Sequence, residues 1–282
     1  MLRIRKSPHY CRISVKQWQG GLHIKYYQPN GLGVDSTASL ILLTEQAEKG
    51  LIPPFESVHV KHGGDGPWTY ENLDQLREAG YKIIILEPEV QGFTDIYEFY
   101  WAEKIVPPVF LGRSCSWKWK INPQRRYYKE KGEPYTSYIG FDTTERHRIK
   151  PSPWKKVSLE YPLIDMGLTR HDCKLIIKDA GLQIPKKSGC YFCPFQSKES
   201  WMVLKRDYPE LFEKACKLED NSPSMKLYFP TKKEQSIRSL RDLSAAPPSL
   251  FDIDIGCRMC VFGLPPSDMA EYMTNSGKES ES

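Results

Sequence analysis

Gly31-Leu32-Gly33-Val34-Asp35-Ser36-Thr37 follows a strand-like run, His23-Ile24-Lys25-Tyr26-Tyr27, and leads into an apolar helical run from Ala38 to Ala47. Glycines at a strand-to-helix turn let the backbone approach a ligand closely. The helix behind such a turn offers free N–H groups and the positive end of its dipole, which suits phosphate. No Lys follows the glycines, so the stretch is not the G-x-x-x-x-G-K-[ST] loop. Asp35-Ser36 in that place points to a different phosphate loop, in which Gly31, Gly33, Val34, Asp35, Ser36 and Thr37 form the cradle.

Working outward, strand and helix signals alternate. Residues 12–27 read as a hairpin turning at Gly20-Gly21, and Ser57 to Val60 as a second strand. Tyr70 to Ala79 reads as a helix ended by Gly80. Lys82 to Leu86 is a near-continuous apolar run, expected of a parallel strand buried on both faces. Thr94 to Ile105 reads as a helix and Tyr135 to Phe141 as a strand. This βαβ spacing predicts an α/β fold: a doubly wound, mostly parallel sheet with helices on both faces. Thr169 with Asp172 resembles a capping box opening a helix that ends at Gly181, and Glu199 to Asp220 looks helical with a break near Pro209. Residues 221–250 are polar and Pro-rich and read as loop. The expected division is an N-terminal hairpin extension (1–27), a nucleotide-binding α/β domain (28–157), a helical cysteine-rich metal-binding region (158–270) and a disordered tail (271–282).

The chain has 282 residues and a net charge of +5, with the apolar and charged content of a globular protein. No apolar run approaches the ~18–20 residues of a membrane span, and the basic start, Met1 to Lys6, lacks the apolar stretch of a signal peptide. No membrane partner and a cytoplasmic location are the default expectations. Basic and aromatic residues interleave in Trp117-Lys118-Trp119-Lys120 and Arg125 to Lys129, and a second basic stretch runs from Arg146 to Lys156. Such stretches hold phosphates and stack bases, so a nucleic acid is a candidate partner; a solvated surface is the alternative.

Eight cysteines in a reducing compartment argue against disulfides. Cys190-x-x-Cys193 and Cys257-x-x-Cys260 have the spacing that lets two thiolates meet one metal, and two pairs complete a four-thiolate site. Zinc and an iron–sulfur cluster both fit. Cys115, among cations, is a further ligand, a nucleophile or a buried small residue. Asp65, Asp142 and Glu145 fall just past strands, where carboxylates that help hold Mg²⁺ on bound phosphates are found.

Together these features resemble the adenine nucleotide α-hydrolase superfamily, whose PP-loop ATP pyrophosphatases carry an S-G-G-x-D-S loop similar to Gly31–Ser36. The nearest resemblance is to the phosphoadenosine-phosphosulfate (PAPS) reductase-like branch. It is carried by Cys115 to Pro123, Gly140 to Arg148, Tyr161 to Ile164 and Cys190 to Phe195. The resemblance spans residues 25–200. It implies a nucleotide at Gly31–Thr37 and cleavage between the α- and β-phosphates of ATP. It also implies a [4Fe–4S] cluster ligated by Cys115, Cys190, Cys193 and one of Cys257 or Cys260. Leu32 stands where that loop has Gly, and Gly31 where it has Ser. The tail lacks the C-G-L-H-like cysteine of true PAPS reductases, so PAPS reduction is not expected.

The leading expectation is an ATP-dependent enzyme that adenylates an acceptor, releases pyrophosphate and supports sulfur transfer to a nucleic acid, DNA or tRNA. A cysteine desulfurase would supply the sulfur. Asp35 would act at the phosphates, Lys118 or Lys120 with Arg148 would neutralise the leaving pyrophosphate, and Asp65 or Glu145 would assist Mg²⁺. The alternative is a non-catalytic nucleotide- or nucleic-acid-binding module with structural zinc. A third reading is a thiol redox enzyme using Cys190 and Cys193.

Overall fold

The computed structural model describes residues 24–108, 114–132, 134–223, 226–227 and 239–243. The hairpin expected before Ile24, Cys257, Cys260 and the tail lie outside the described residues. The elements are β1 (Lys25–Pro29), α1 (Val34–Glu48), β2 (Glu56–Val60), α2 (Pro67–Glu78), β3 (Ile83–Leu86) and α3 (Ile96–Ala102). A π-helix (Trp117–Ile121), α4 (Asn122–Lys131), β4 (Tyr135–Tyr138), a 3-10 helix (Thr143–Arg148) and β5 (Val157–Glu160) follow. Then come α5 (Pro162–Asp165), α6 (Arg170–Asp179), α7 (Lys198–Asp207) and α8 (Pro209–Asp220).

The chain divides into two units, Met1–Thr94 with Trp117–Gly189, and Asp95–Ser116 with Cys190–Ser282. The first holds a five-stranded sheet in the order β3-β2-β1-β4-β5, with every neighbouring pair parallel. The chain works outward from β1 through β2 to β3, then returns to place β4 on the other side of β1. The carboxyl ends of β1 and β4 therefore flank the switch point, where ligands of such sheets bind.

Alternation along the strands shows why helices cover both faces. Tyr27, Val58, Tyr135 and Val157 pack with Tyr128 of α4, joined by Ile84 and Leu86 of β3. Ile83 and Ile85 point the other way, into a cluster with Leu40 of α1 and Leu73 and Leu76 of α2. Val34, Ala38, Ile41 and Leu42 of α1 also meet Cys173, Ile176 and Ile177 of α6. β3 lies at the sheet edge with Ile83 buried and the next three partly buried, but apolar clusters meet it on both faces, which accounts for the unbroken Ile83-Ile84-Ile85-Leu86 run. The expected nucleotide domain ended at residue 157. Here Val157–Glu160 is the fifth strand, and the chain continues in the same unit to Gly189.

In the second unit, α7 and α8 meet at Pro209, where the ring ends one helix and starts the next. Trp201 and Phe212, one from each, make an edge-to-face contact at 6.5 Å. Buried Glu219 at the end of α8 accepts the backbone N–H groups of Leu227 and Leu240. No helix among the described residues is long and apolar enough to cross a membrane.

Candidate phosphate site

The turn after β1 is held from inside. Leu32 has φ +56°, the left-handed region that favours glycine, so a non-glycine residue holds a strained backbone there. Its side chain is fully buried against Leu40, Leu73 and Leu76. Its N–H donates to Asn30 Oδ1 at 2.8 Å, and its carbonyl accepts from Asn72 Nδ2 at 2.9 Å. Asn72 also donates to Thr37 Oγ1 at 3.0 Å, and Asn30 to Ser57 Oγ at 3.1 Å. Two asparagines and an apolar anchor thus set the turn from below.

Above it, Gly33 caps α1. Ser36 Oγ accepts the Gly33 N–H and donates to the Gly33 carbonyl, both at 3.1 Å. Val34, Asp35 and Ser36 occupy the first turn, whose N–H groups have no partner within a helix. Two neighbours close in on this end. A β-carbon on Gly140, past β4, would stand 3.3 Å from Ser36 Cα; one on Gly33 would stand 2.7 Å from Ser188 Oγ. Gly140 thus lets its strand end pass close to the α1 backbone, and Gly33 leaves room for the Ser188 hydroxyl. Ser188 follows a segment tied to α2 by Trp68 Nε1 donating to the Lys187 carbonyl and by a reciprocal Gln75–Gln183 pair.

Asp35 meets Arg170 Nη1 at 2.7 Å. Burial pushes its carboxyl up to about 6; Arg170 opposes the rise, and the charges of Asp142 and Glu145 add to it. Asp142 is buried and caps the 3-10 helix, accepting from the Thr144 N–H at 2.7 Å. Glu145 pairs with Arg148, whose guanidinium lies 4.1 Å from the Phe141 ring centre.

Asp65 is placed differently from a metal-facing carboxylate. Its side chain is 1% exposed, with Lys120 Nζ 3.5 Å from one oxygen and His62 Nε2 3.2 Å and His59 Nε2 3.9 Å from the other. Burial opposes its ionisation, but Lys120, His62 and His59 outweigh that and hold its pKa below the usual value. Burial, reinforced by Lys120, pushes His62 down to about 3, and burial also lowers His59. The tautomers follow from the partners. His59 Nδ1 donates to the Asn30 carbonyl at 2.9 Å, and His62 Nδ1 accepts the Gly64 N–H at 3.1 Å. His62 therefore carries its proton on Nε2, toward Asp65. Lys118 lies elsewhere: with Arg126 it lines a cavity of about 530 Å³ at the carboxyl end of β3.

The structure thus brings Gly31–Thr37, Glu145 and Arg148 to the switch point and puts Lys120 on Asp65. Of the carboxylates expected to assist Mg²⁺, Asp65 lies against Lys120 and His62, and Glu145 is paired with Arg148. Sequence reading missed Arg170, Asn72, Ser188, His59 and His62. The first three lie far along the chain from the loop they touch; His59 and His62 carry a weak signal in their spacing before Asp65.

In the second unit, Cys115 sits in a single helical turn (Ser114–Ser116), half-buried like Cys190 and Cys193. The knuckle is shaped by its own backbone, with the Cys193 N–H donating to the Cys190 carbonyl at 3.1 Å. The residues between, Tyr191 and Phe192, turn inward onto Tyr97 and Tyr100 of α3. Three of the expected thiolates therefore share one unit. Among the described residues, however, no three His, Cys, Asp or Glu side chains are grouped to hold a metal. Without Cys257 and Cys260, the donor set does not close on a cluster.

No family model matches the chain, and no curated protein matches it. Among solved structures, the chain is similar to phosphoadenylyl-sulfate (PAPS) reductase from Candida auris in its phosphate complex. Identity is 18% and TM-score 0.44, covering 60% of this chain and 82% of that one. It is also similar to the U34-tRNA thiolase NcsA from Methanococcus maripaludis with its [4Fe–4S] cluster. Identity is 16% and TM-score 0.40, covering 72% of this chain and 73% of that one. At such scores the likeness adds nothing to the reading of the site, which stands on its residues.

Proposed function

We propose that the first unit binds a nucleotide by its phosphates at Gly31–Thr37 and adenylates an acceptor with release of pyrophosphate, in support of sulfur transfer to a nucleic acid. The observation that carries the reading is the turn itself. A strained Leu32, anchored by apolar packing and held by Asn30 and Asn72, keeps the first turn of α1 open to a ligand at the switch point of a parallel sheet. The backbone N–H groups of residues 34–36 would take phosphate oxygens, and Arg148 and Arg170 would offset charge developing on the leaving pyrophosphate. Arg170 pairs with Asp35 beside that site, and Lys120 pairs with Asp65.

Cys115, Cys190 and Cys193 are not grouped to hold a metal among the described residues, so no cluster is assigned to them. Calorimetric titration with ATP and a pyrophosphate-release assay with acceptor RNA test the proposal. Wild type should bind ATP, Ser36→Ala should bind more weakly, and equal binding by both would refute the loop assignment.

A second reading is favoured by one observation: Asp35, Asp65 and Glu145 are all committed to basic partners. A nucleotide-binding module without turnover needs no carboxylate for a metal. It predicts ATP binding without pyrophosphate release under any acceptor.

A further inference from the structure

The three basic and aromatic stretches that lie apart in the sequence meet on one surface of the first unit. Trp117, from the π-helix, stacks on Trp154, from the loop before β5, with ring centres 6.1 Å apart and planes at 19°. The Arg125 guanidinium of α4 lies 4.9 Å from the Trp154 ring centre. The loop holding Trp154 is ordered by Ser152, whose hydroxyl donates to the Trp154 carbonyl and accepts its N–H. Lys155 and Lys156 flank Trp154, while Arg126 and Lys129 follow Arg125 on α4 and are exposed. Lys118 and Arg126, the sequence neighbours of Trp117 and Arg125, line a cavity that also holds Glu87, Glu89 and Glu130.

Charge is concentrated here. Residues 117–156 carry eleven Lys and Arg against four Asp and Glu, an excess greater than the whole chain's net +5. Among the described residues, none of Lys118, Arg125, Arg126, Lys129, Lys155 or Lys156 forms an ion pair. Arg148, Arg170 and Arg241, by contrast, all face acids. Arg125 on the stack, with Lys129, Lys155 and Lys156 unpaired on the elements that carry it, gives this surface a positive potential that favours a polyanion. A plain polyanion needs no ring; the stacked tryptophans favour one that carries flat bases.

We infer that this surface, centred on Trp117 and Trp154, docks a single-stranded segment of nucleic acid, with its phosphates on the cations and a base on the tryptophan stack. The surface would serve the acceptor of the reaction proposed above and rests on that reading for its role, although binding is measurable without turnover. The test is fluorescence anisotropy of the full chain with labelled RNA and DNA oligonucleotides of about 15 nucleotides, and with polyglutamate of matched charge.

Binding should weaken with salt. The Arg126→Gln/Lys129→Gln and Lys155→Gln/Lys156→Gln variants should flatten the slope of log K against log salt by about 0.7 per lost phosphate contact. Trp117→Leu, which keeps apolar bulk without a ring face, should weaken oligonucleotide binding roughly tenfold and leave polyglutamate unaffected. The RNA and DNA arms tell which sugar the site accepts. No oligonucleotide binding, variants with unchanged slopes, or polyglutamate binding as tight as RNA would each overturn the inference. Normal oligonucleotide binding without ATP binding would overturn the nucleotide reading alone.

Discussion

Replacing Leu32 tests whether the turn is built as described. The left-handed backbone costs a non-glycine residue about 1–2 kcal/mol, and its φ is +56°. Full burial of the side chain against Leu40, Leu73 and Leu76 returns about 1.5–3 kcal/mol. Leu32→Ala keeps the strain and empties the pocket, so it should cost about 3 kcal/mol, in the range of buried Leu→Ala changes. Leu32→Gly empties the same pocket but removes the strain. At an ordinary position glycine is worse than alanine by roughly 0.5–1 kcal/mol. Here the order should reverse, with Leu32→Gly about 1 kcal/mol more stable than Leu32→Ala. Urea denaturation of the three proteins, followed by tryptophan fluorescence, gives the differences directly. Alanine matching or exceeding glycine would mean that Leu32 does not hold the left-handed conformation, and the account of the anchored turn would fall with it.

Gly33→Ala should lower the thermal midpoint by driving a methyl group into Ser188, and Ser188→Ala in the same chain should recover part of the loss, since the next contact there is an ordinary 3.6 Å. For Asp35, the folded carboxyl titrates near 6 against 3.8 for the free side chain. Its contribution to stability is therefore full below about 3.8 and is lost as pH rises through about 6. Asp35→Asn should flatten the stability profile in that window, as read by denaturation at a series of pH values. Arg170→Ala should cost about 1–2 kcal/mol, moderated by the half-exposed guanidinium, and Asp35→Asn should suppress that cost in a double-mutant cycle. Asp65→Ala should cost about 3 kcal/mol by removing the carboxylate that faces Lys120 and the buried His62 Nε2–H, whereas Lys120→Met, at a partly exposed position, should cost less when both are measured by urea denaturation.

What sequence reading recovered, and what it missed, follows from the range over which each signal acts. The strands and helices of the first unit carry periodicity and turn residues within a few positions, so β1 to β4, α1 and α2 stand where expected, and the Thr169–Asp172 capping box is present. β5 was missed because Val157-Ser158-Leu159-Glu160, although it alternates apolar and polar residues, is only four residues long and follows a basic loop. The phosphate turn was legible because its chemistry is contiguous. Its supports were not, since Asn72 reaches it from α2, Arg170 through the packing of α6 on α1, and Ser188 on a distant segment tied to α2.

Leu32 shows the limit most clearly. As a letter in a glycine's place it argues against a working loop. As a buried side chain on a left-handed backbone it is the residue that fixes the loop, because the apolar pocket beneath it offsets the strain above. A substitution pattern therefore cannot condemn such a loop until the volume under it is known. A glycine at position 32 with the same pocket would leave a cavity that the turn could collapse into.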